Sequence, residues 1–285
     1  MARDGGLFCS YDCGQSWELA YGNLKAGEAL PTTAIAVAPD FEHEPVVFAG
    51  LNGAILCSYD GGCTWRQSRL PTPPPAISAL SVSPNYAQDG IVFAGTGEDG
   101  VLVSSDCGKS WAAWNFGLLD LSVFCLALSP NFAADETVYA GAGSGLFRST
   151  NGGRAWKEVP LPIGFDAVLS LALSADFAHD HTLFVGTENN GLLISRDCGK
   201  TWAPVSASTR EQPVNSIILA LSDSHGLEIL LLHGGGLLLS RNCGKTWKPW
   251  RAKKLRGRDA TAILAPHGLR ESLFVGFADG GICRL

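Results

Sequence analysis

Short apolar runs recur along the chain, each too brief and too closely followed by the next to be a helix. One family is β-branched and aromatic and ends in Gly: Val47-Phe48-Ala49-Gly50, Val92-Phe93-Ala94-Gly95, Val138-Tyr139-Ala140-Gly141 and Leu183-Phe184-Val185-Gly186. Upstream of each lies a run of small and aliphatic residues, such as Ala34-Ile35-Ala36-Val37 or Cys125-Leu126-Ala127-Leu128. A third run follows, as in Gly191-Leu192-Leu193-Ile194, and a short polar-apolar piece comes last. Bounded by Gly, Pro, Asn and Ser, these runs predict strands. There are four per repeat, labelled A to D in chain order.

Between C and D stands one eight-residue box, seen in Ser195-Arg196-Asp197-Cys198-Gly199-Lys200-Thr201-Trp202, with copies beginning at Ser10, Ser58, Ser104, Ser149 and Ser240. Its third position is Asp12, Asp60, Asp106, Asn151, Asp197 or Asn242, and its last is Trp17, Trp65, Trp111, Trp156, Trp202 or Trp247. The tryptophans are 48, 46, 45, 46 and 45 residues apart. That period predicts radially repeated four-stranded sheets. The box explains itself mechanically: Asp or Asn accepts backbone N–H groups, Gly supplies a conformation other residues resist, and Trp covers the turn. Strand A, small-sided, is expected innermost and strand D outermost. The A-to-B turns repeat too, as in Ser83-Pro84-Asn85-Tyr86 and Ser129-Pro130-Asn131-Phe132.

The box resembles the Asp-box, or BNR, repeat of sialidases, sortilin-type receptors and photosystem II assembly factors of the propeller kind, and the resemblance covers essentially the whole chain. It implies an all-β fold, a six-bladed β-propeller of four-stranded antiparallel blades forming one domain over residues 1–285. It implies little about chemistry, because these families share a scaffold. Five complete sets leave strands C and D at the start, from Gly6 to Leu19, and A and B at the end, from Ala260 to Gly276, which together are expected to make a shared closing blade. Gly280-Gly281-Ile282-Cys283 repeats Gly5-Gly6-Leu7-Phe8-Cys9, so two segments compete for strand C there. Leu7 to Ser10 is expected to take the slot, leaving Ile282 to Leu285 displaced, frayed or paired with a partner chain.

Composition narrows the setting. With 46% hydrophobic residues in 285, the chain has material for a large core. The net charge of −6 gives no general attraction to nucleic acid or anionic membrane. No apolar window of membrane-spanning length and no signal-peptide core is seen, so a cytoplasmic location is expected. Nine cysteines, most at repeat-equivalent places, fit a reducing compartment. Cys13, Cys107, Cys198 and Cys243 share one box position and read as small turn residues, while a redox clasp between Cys9 and Cys283 is conceivable from their competing strands.

By the same resemblance, the D-to-A and B-to-C loops share the face where propellers usually bind. There the sequence offers Glu98, Asp99, Glu188 and Asp279 from B-to-C loops, and Trp114, Phe116, Phe165, Arg210, Lys253, Lys254 and Arg256 from D-to-A loops. Glu98, Glu188 and Asp279 would be the acids of a glycoside hydrolase, but the arginine clamp and Tyr/Glu nucleophile pair expected of a sialidase are missing. His179 and His181 offer donors for a surface metal, yet other repeats put ordinary turn residues there. No catalytic constellation, metal site or cofactor motif is read, and solvated loop tips account for any single carboxylate. Arg251 to Arg258 holds five positive charges in eight residues, and Trp114, Phe116, Leu118, Leu119 and Phe124 make an apolar cluster. The expected function is a non-catalytic scaffold holding another protein, with a carbohydrate-binding or sialidase-like propeller as the alternative.

Overall fold

The computed structural model describes residues 2–3, 6–12, 14–24, 30–210, 212–222, 226–255, 257–265, 268–269 and 273–285. By its internal contacts the chain falls into two units, Met1–Glu158 and Val159–Leu285.

The first unit opens with a three-stranded sheet of Ala2–Arg3, Gly6–Cys9 and Glu18–Leu19. Two complete blades follow: Thr32–Val37, Val47–Leu51, Ala54–Ser58 and Arg66–Gln67, then Ile77–Val82, Val92–Thr96, Val101–Ser104 and Ala112–Ala113. A third begins with Val123–Leu128, Val138–Ala142 and Gly145–Ser149, and its last strand, Lys157–Val159, reaches the unit boundary. The second unit contains the blades Val168–Leu173, Leu183–Thr187, Leu192–Ser195, Ala203–Pro204 and Val214–Ser222, Gly226–His233, Gly236–Ser240, Lys248–Pro249. It ends in a three-stranded sheet of Ala260–Leu264, Phe274–Phe277 and Ile282–Arg284. Every complete blade runs A-B-C-D, so six box-bearing sheets are present as the repeats predict.

The chain ends depart from the expected sharing. Gly6–Cys9 pairs with Ala2–Arg3 and Glu18–Leu19, giving the first box a sheet of its own. Beside Phe274–Phe277 the third strand is Ile282–Arg284, with Val275 opposite Cys283 and Gly276 opposite Ile282. The C-terminal repeat is therefore a paired strand, not a displaced one. A local antiparallel return through Gly280 (φ 76°) closes a short loop, which costs less chain entropy than recruiting a distant segment.

Burial follows strand position. Strand B is enclosed throughout in Val47–Leu51, Val92–Thr96, Val138–Ala142 and Leu183–Thr187, whereas Arg66–Gln67, Ala112–Ala113, Ala203–Pro204 and Lys248–Pro249 are exposed along their length. The β-branched and aromatic residues thus fill the middle of each blade. Phe48, Phe93, Tyr139 and Phe184 are almost wholly buried, and truncating one to Ala is expected to cost about 3–5 kcal/mol.

Each strand A also carries a feature that the apolar pattern did not show. The register slips at its second residue, between Thr32 and Ala34, Ile77 and Ala79, Val123 and Cys125, Val168 and Ser170, Val214 and Ser216, and Ala260 and Ala262. Such bulges bend a strand and re-aim one side chain. The bulged Thr33 hydroxyl donates to the carbonyls of Gly50 (2.9 Å) and Ile77 (2.6 Å), and Ser78 donates to Val123. The glycine ending strand B answers the same junction: a Cβ on Gly50 would press on Ile77, and one on Gly95 would come within 2.8 Å of Val123. Where that position is Leu232, the residue beginning the next strand A is Ala260, and both sit in one buried cluster. Bulk has moved across the junction, from the first residue of strand A to the facing position near the end of strand B.

Candidate functional site

The boxes repeat one hydrogen-bond scheme. In each, the first serine hydroxyl donates to the Asp or Asn Oδ1 at 2.7–3.0 Å and accepts the N–H of the box glycine at 2.7–2.9 Å. Oδ1 also accepts the N–H four residues on, in Ser16, Thr64, Ser110, Ala155, Thr201 and Thr246. In the Asp boxes Oδ2 takes that residue's hydroxyl at 2.6 Å. Asn242 reverses the bond, its Nδ2 donating to Thr246 Oγ1, and Asn151 faces Ala155, which has no hydroxyl. Bonds from Thr64 and Ser58 hold the Asp60 carboxyl at about 2, as those from Thr201 and Ser195 hold Asp197. At Asp106 burial pushes upward, but the bonds from Ser110 and Ser104 outweigh it and hold the carboxyl at about 2.

Cys107, Cys198 and Cys243 have φ near +60°, like Gly61 and Gly152 at the same place, so the cysteines are turn residues as expected. Cys13 lies outside the described residues. Trp65, Trp202 and Trp247 donate Nε1 to the glycine carbonyl of their own box. Trp111 Nε1 is buried without a partner among the described residues, and in its box the Gly108 carbonyl accepts the Ser68 hydroxyl at 2.6 Å. The box leaves its carboxylate committed to the turn, with little for a ligand.

The A-to-B turns are similarly closed. Ser83, Ser129 and Ser174 donate to Asp89, Asp135 and Asp180 at 2.6 Å, across one-turn helices at Tyr86–Asp89, Phe132–Asp135 and Phe177–Asp180. This Ser-to-Asp spacing of six was legible but unread. His179 pairs with Asp176, which raises its pKa, and His181 ends the helix with φ 52° against the Phe177 ring. Among the described residues no group of three or more His, Cys, Asp or Glu could hold a metal.

The opposite loops differ from one another. In the first unit the B-to-C turn Thr96 to Gly100 is tied by Thr96 Oγ1, which donates to the Gly100 carbonyl and accepts the Asp99 N–H, leaving Glu98 and Asp99 exposed. Thr187 to Gly191 in the second unit is the same turn, with Glu188 exposed at its tip. Asp279 is paired: Arg258 grips it in a two-pronged bond at 2.7 and 2.9 Å and also covers Phe277. The expected trio of acids thus separates into two tips and one ion pair.

Trp114 is half-buried and tied into the framework. Its carbonyl receives Trp156 Nε1 at 2.8 Å, its ring packs on a buried cluster and the Arg154 guanidinium lies over it. The signal was the spacing: the third residue after each box tryptophan, as in Ala20, Ser68 and Val159, turns into the core. Beyond it the loop is tied down by hydrogen bonds yet bares apolar groups. Leu118 is buried, the Phe116 carbonyl accepts Trp156 N–H, the Leu121 carbonyl accepts Gly100 N–H, and Asp120 accepts the N–H groups of Ser122 and Ser144. Phe116 and Leu119 are nevertheless 80% and 78% exposed, with Leu121 and Phe124 partly so. Beside them is a cleft of about 190 Å³ lined by Pro71, Pro73, Pro75, Leu102, Leu121 and Asp99.

In the second unit Phe165 is 88% exposed next to Asp166, which is buried and accepts bonds from Asn189 and Asn190. Burial pushes the Asp166 carboxyl up, but those amides outweigh it and keep it below the usual range. Asp120 and Asp166 therefore do one job, clamping a B-to-C loop, that the sequence reading did not assign. Arg210 caps the short helix Ala207–Thr209 and is exposed. Of the basic run, Lys253 and Lys254 are exposed, Arg251 lies over Trp250 and Arg258 is paired, while Arg256 lies outside the described residues.

No family model and no curated protein matches the chain. Solved structures do. A structure described as YCF48 bound to D1 peptide is 18% identical with TM-score 0.70, the match covering 100% of this chain and 87% of that one. The GH74 enzyme of Niastella koreensis is 18% identical with TM-score 0.76, and the GH74 xyloglucanase of Xanthomonas campestris 16% with 0.72, each covering 99% of this chain and 49% of its own. The extracellular domain of BT4673 from B. thetaiotaomicron is 17% identical with TM-score 0.73, and this chain spans 36% of its length. At such identities the likeness is one of fold: the chain is an all-β, blade-repeat propeller.

Proposed function

We propose that the chain is a non-catalytic protein-binding or assembly scaffold that receives an apolar segment of its partner on the loop from Phe116 to Phe124. The observation carrying this reading is the pairing of hydrogen-bonded anchoring with exposure. A loop held by Trp156, Asp120 and Gly100 offers Phe116 and Leu119 to solvent, and large exposed aromatic and aliphatic groups on a fixed frame are what interfaces bury. The YCF48 structure, in which a propeller of this fold is bound to a peptide, supports it.

The hydrolytic alternative draws on the GH74 likeness and on Glu98 and Glu188, but Asp279 is held by Arg258. One paired experiment separates the readings. Affinity purification with quantitative mass spectrometry compares wild type with a Phe116→Ser, Leu119→Ser double variant, while both proteins are applied to a glycan array. The expected result is a stoichiometric protein partner reduced at least tenfold in the variant. Saturable glycan binding that survives the double change and is lost in Glu188→Ala would overturn it.

A further inference from the structure

The last box, Ser240 to Trp247, differs from the others in where it leaves a proton. In the four Asp boxes the hydroxyl four residues after the carboxylate is committed to it, Ser16, Thr64, Ser110 and Thr201 each donating to Oδ2 at 2.6 Å. Asn242 cannot accept that bond. Its Oδ1 already takes the Ser240 hydroxyl at 3.0 Å and the Thr246 N–H at 2.9 Å, so Nδ2 faces Thr246 and donates to its Oγ1 at 2.9 Å. The Thr246 hydroxyl is thereby an acceptor inside the turn, and its own hydrogen has no acceptor among the described residues. The other Asn box has Ala155 at that place and no hydroxyl to release.

This donor belongs to a cleft of about 380 Å³ lined by the polar Arg241, Asn242, Thr246 and Lys248 and by the apolar Leu239, Pro249 and Trp250. Arg241, Thr246 and Lys248 are exposed and Trp250 is half-buried. Arg241 Nε lies 3.7 Å from the carboxylate of the buried Glu228, which steadies the side chain while leaving it 64% exposed. No lining residue is acidic, although Asp at position 242 would have put a carboxylate there. The surrounding stretch has the same sign: Arg241 to Arg258 holds eight of the chain's 21 Lys and Arg and no Asp or Glu, on a chain of net charge −6. Pro249 has no N–H to offer a docking strand at this sheet edge, which argues against a polypeptide added by backbone pairing. A cleft of this size suits a small molecule, and charged donors without acids select an oxyanion.

We propose that this cleft binds the phosphate monoester of a ring-bearing small molecule, a nucleotide or a sugar phosphate. The Arg241 guanidinium, the Lys248 ammonium and the Thr246 hydroxyl donate to the phosphate oxygens, while Trp250, Pro249 and Leu239 give the ring an apolar wall. Asn242 acts twice: an amide in place of a carboxylate removes a repelling charge and frees the Thr246 proton.

The test is isothermal titration calorimetry of the full chain with AMP and glucose 6-phosphate, each against adenosine or glucose as its unphosphorylated control. At least one ester is expected to bind about tenfold or more tighter than its control, and which one does so distinguishes nucleotide from sugar phosphate. Asn242→Asp restores the box found four times elsewhere in the chain, so its melting temperature should not fall while the ester's affinity drops about tenfold or more. Thr246→Ala copies the Asn151 and Ala155 pair and should weaken binding about tenfold; should Asn242→Asp lower the melting temperature, this variant alone decides. The proposal is overturned if neither ester binds, if ester and control bind equally, or if affinity is unchanged in the deciding variant. Binding of a single-stranded oligonucleotide without binding of either ester would also overturn it.

Discussion

The box turns and the loops from strand D to strand A stand in contrast. The boxes repeat one serine hydroxyl and one Asp or Asn Oδ1 six times and satisfy both within eight residues. The D-to-A loops share only their framework roles, the inward third residue and the clamping Asp120 or Asp166, and around these each loop displays something different: Phe116 and Leu119 in one, Phe165 in another, Lys253 and Lys254 in a third. Sameness marks where the chain solves a folding problem, and difference marks where it is free to meet something else.

The contrast breaks most sharply at Gly108. It has φ +83°, and a side chain there would collide with the buried Phe48 ring of the preceding blade. Gly108→Ala is expected to destabilise the protein by about 3 kcal/mol, from overpacking and left-handed strain together, as read by denaturant unfolding. Next comes Ser104→Ala, which strips the Gly108 N–H of its acceptor and Asp106 of a donor inside a buried turn; about 1–3 kcal/mol is expected by the same measurement.

Acid probes the carboxylates. Those of Asp60, Asp106 and Asp197 are held at about 2 in the fold and titrate near 4 when unfolded. Their contribution is complete above about pH 4 and disappears as pH falls through about 2. Replacing all three with Asn, the residue already at Asn151 and Asn242, should flatten the acid limb of the stability curve; an unchanged midpoint of acid unfolding would refute this. The smallest effect belongs to the loop: the Phe116→Ser, Leu119→Ser variant should unfold within about 0.5 kcal/mol of wild type, while its partner is lost. A large stability change would return these residues to the core and erase the contrast.

Much of this was readable in the chain because it depends on near neighbours. The six boxes, the four strands of a repeat and the place of the box cysteines as small turn residues follow from local spacing. The bulges were not readable, since they arise where Thr33 or Ser78 meets the carbonyl of another blade, and no run of residues in one strand announces that meeting. Trp114 looked like an interface anchor because its chemistry suits one; only its partners, Trp156 and Arg154, place it in the frame. For the C-terminal strand the sequence held both answers, and the short return at Gly280 decided between them. Asp279 was visible as an acid but its neutralising Arg258, twenty-one residues away, was not.

The exchange of bulk between Leu232 and Ala260 bears on how the chain keeps its order. Elsewhere the junction pairs a glycine with a branched residue, Gly50 with Ile77 and Gly95 with Val123, so one repeat's edge would accept another's. A sheet ending in Leu232 would crush against Ile77 or Val123, and it tolerates Ala260. That single inverted pair works as an address, telling the last sheet which neighbour is its own in a chain whose repeats are otherwise nearly interchangeable.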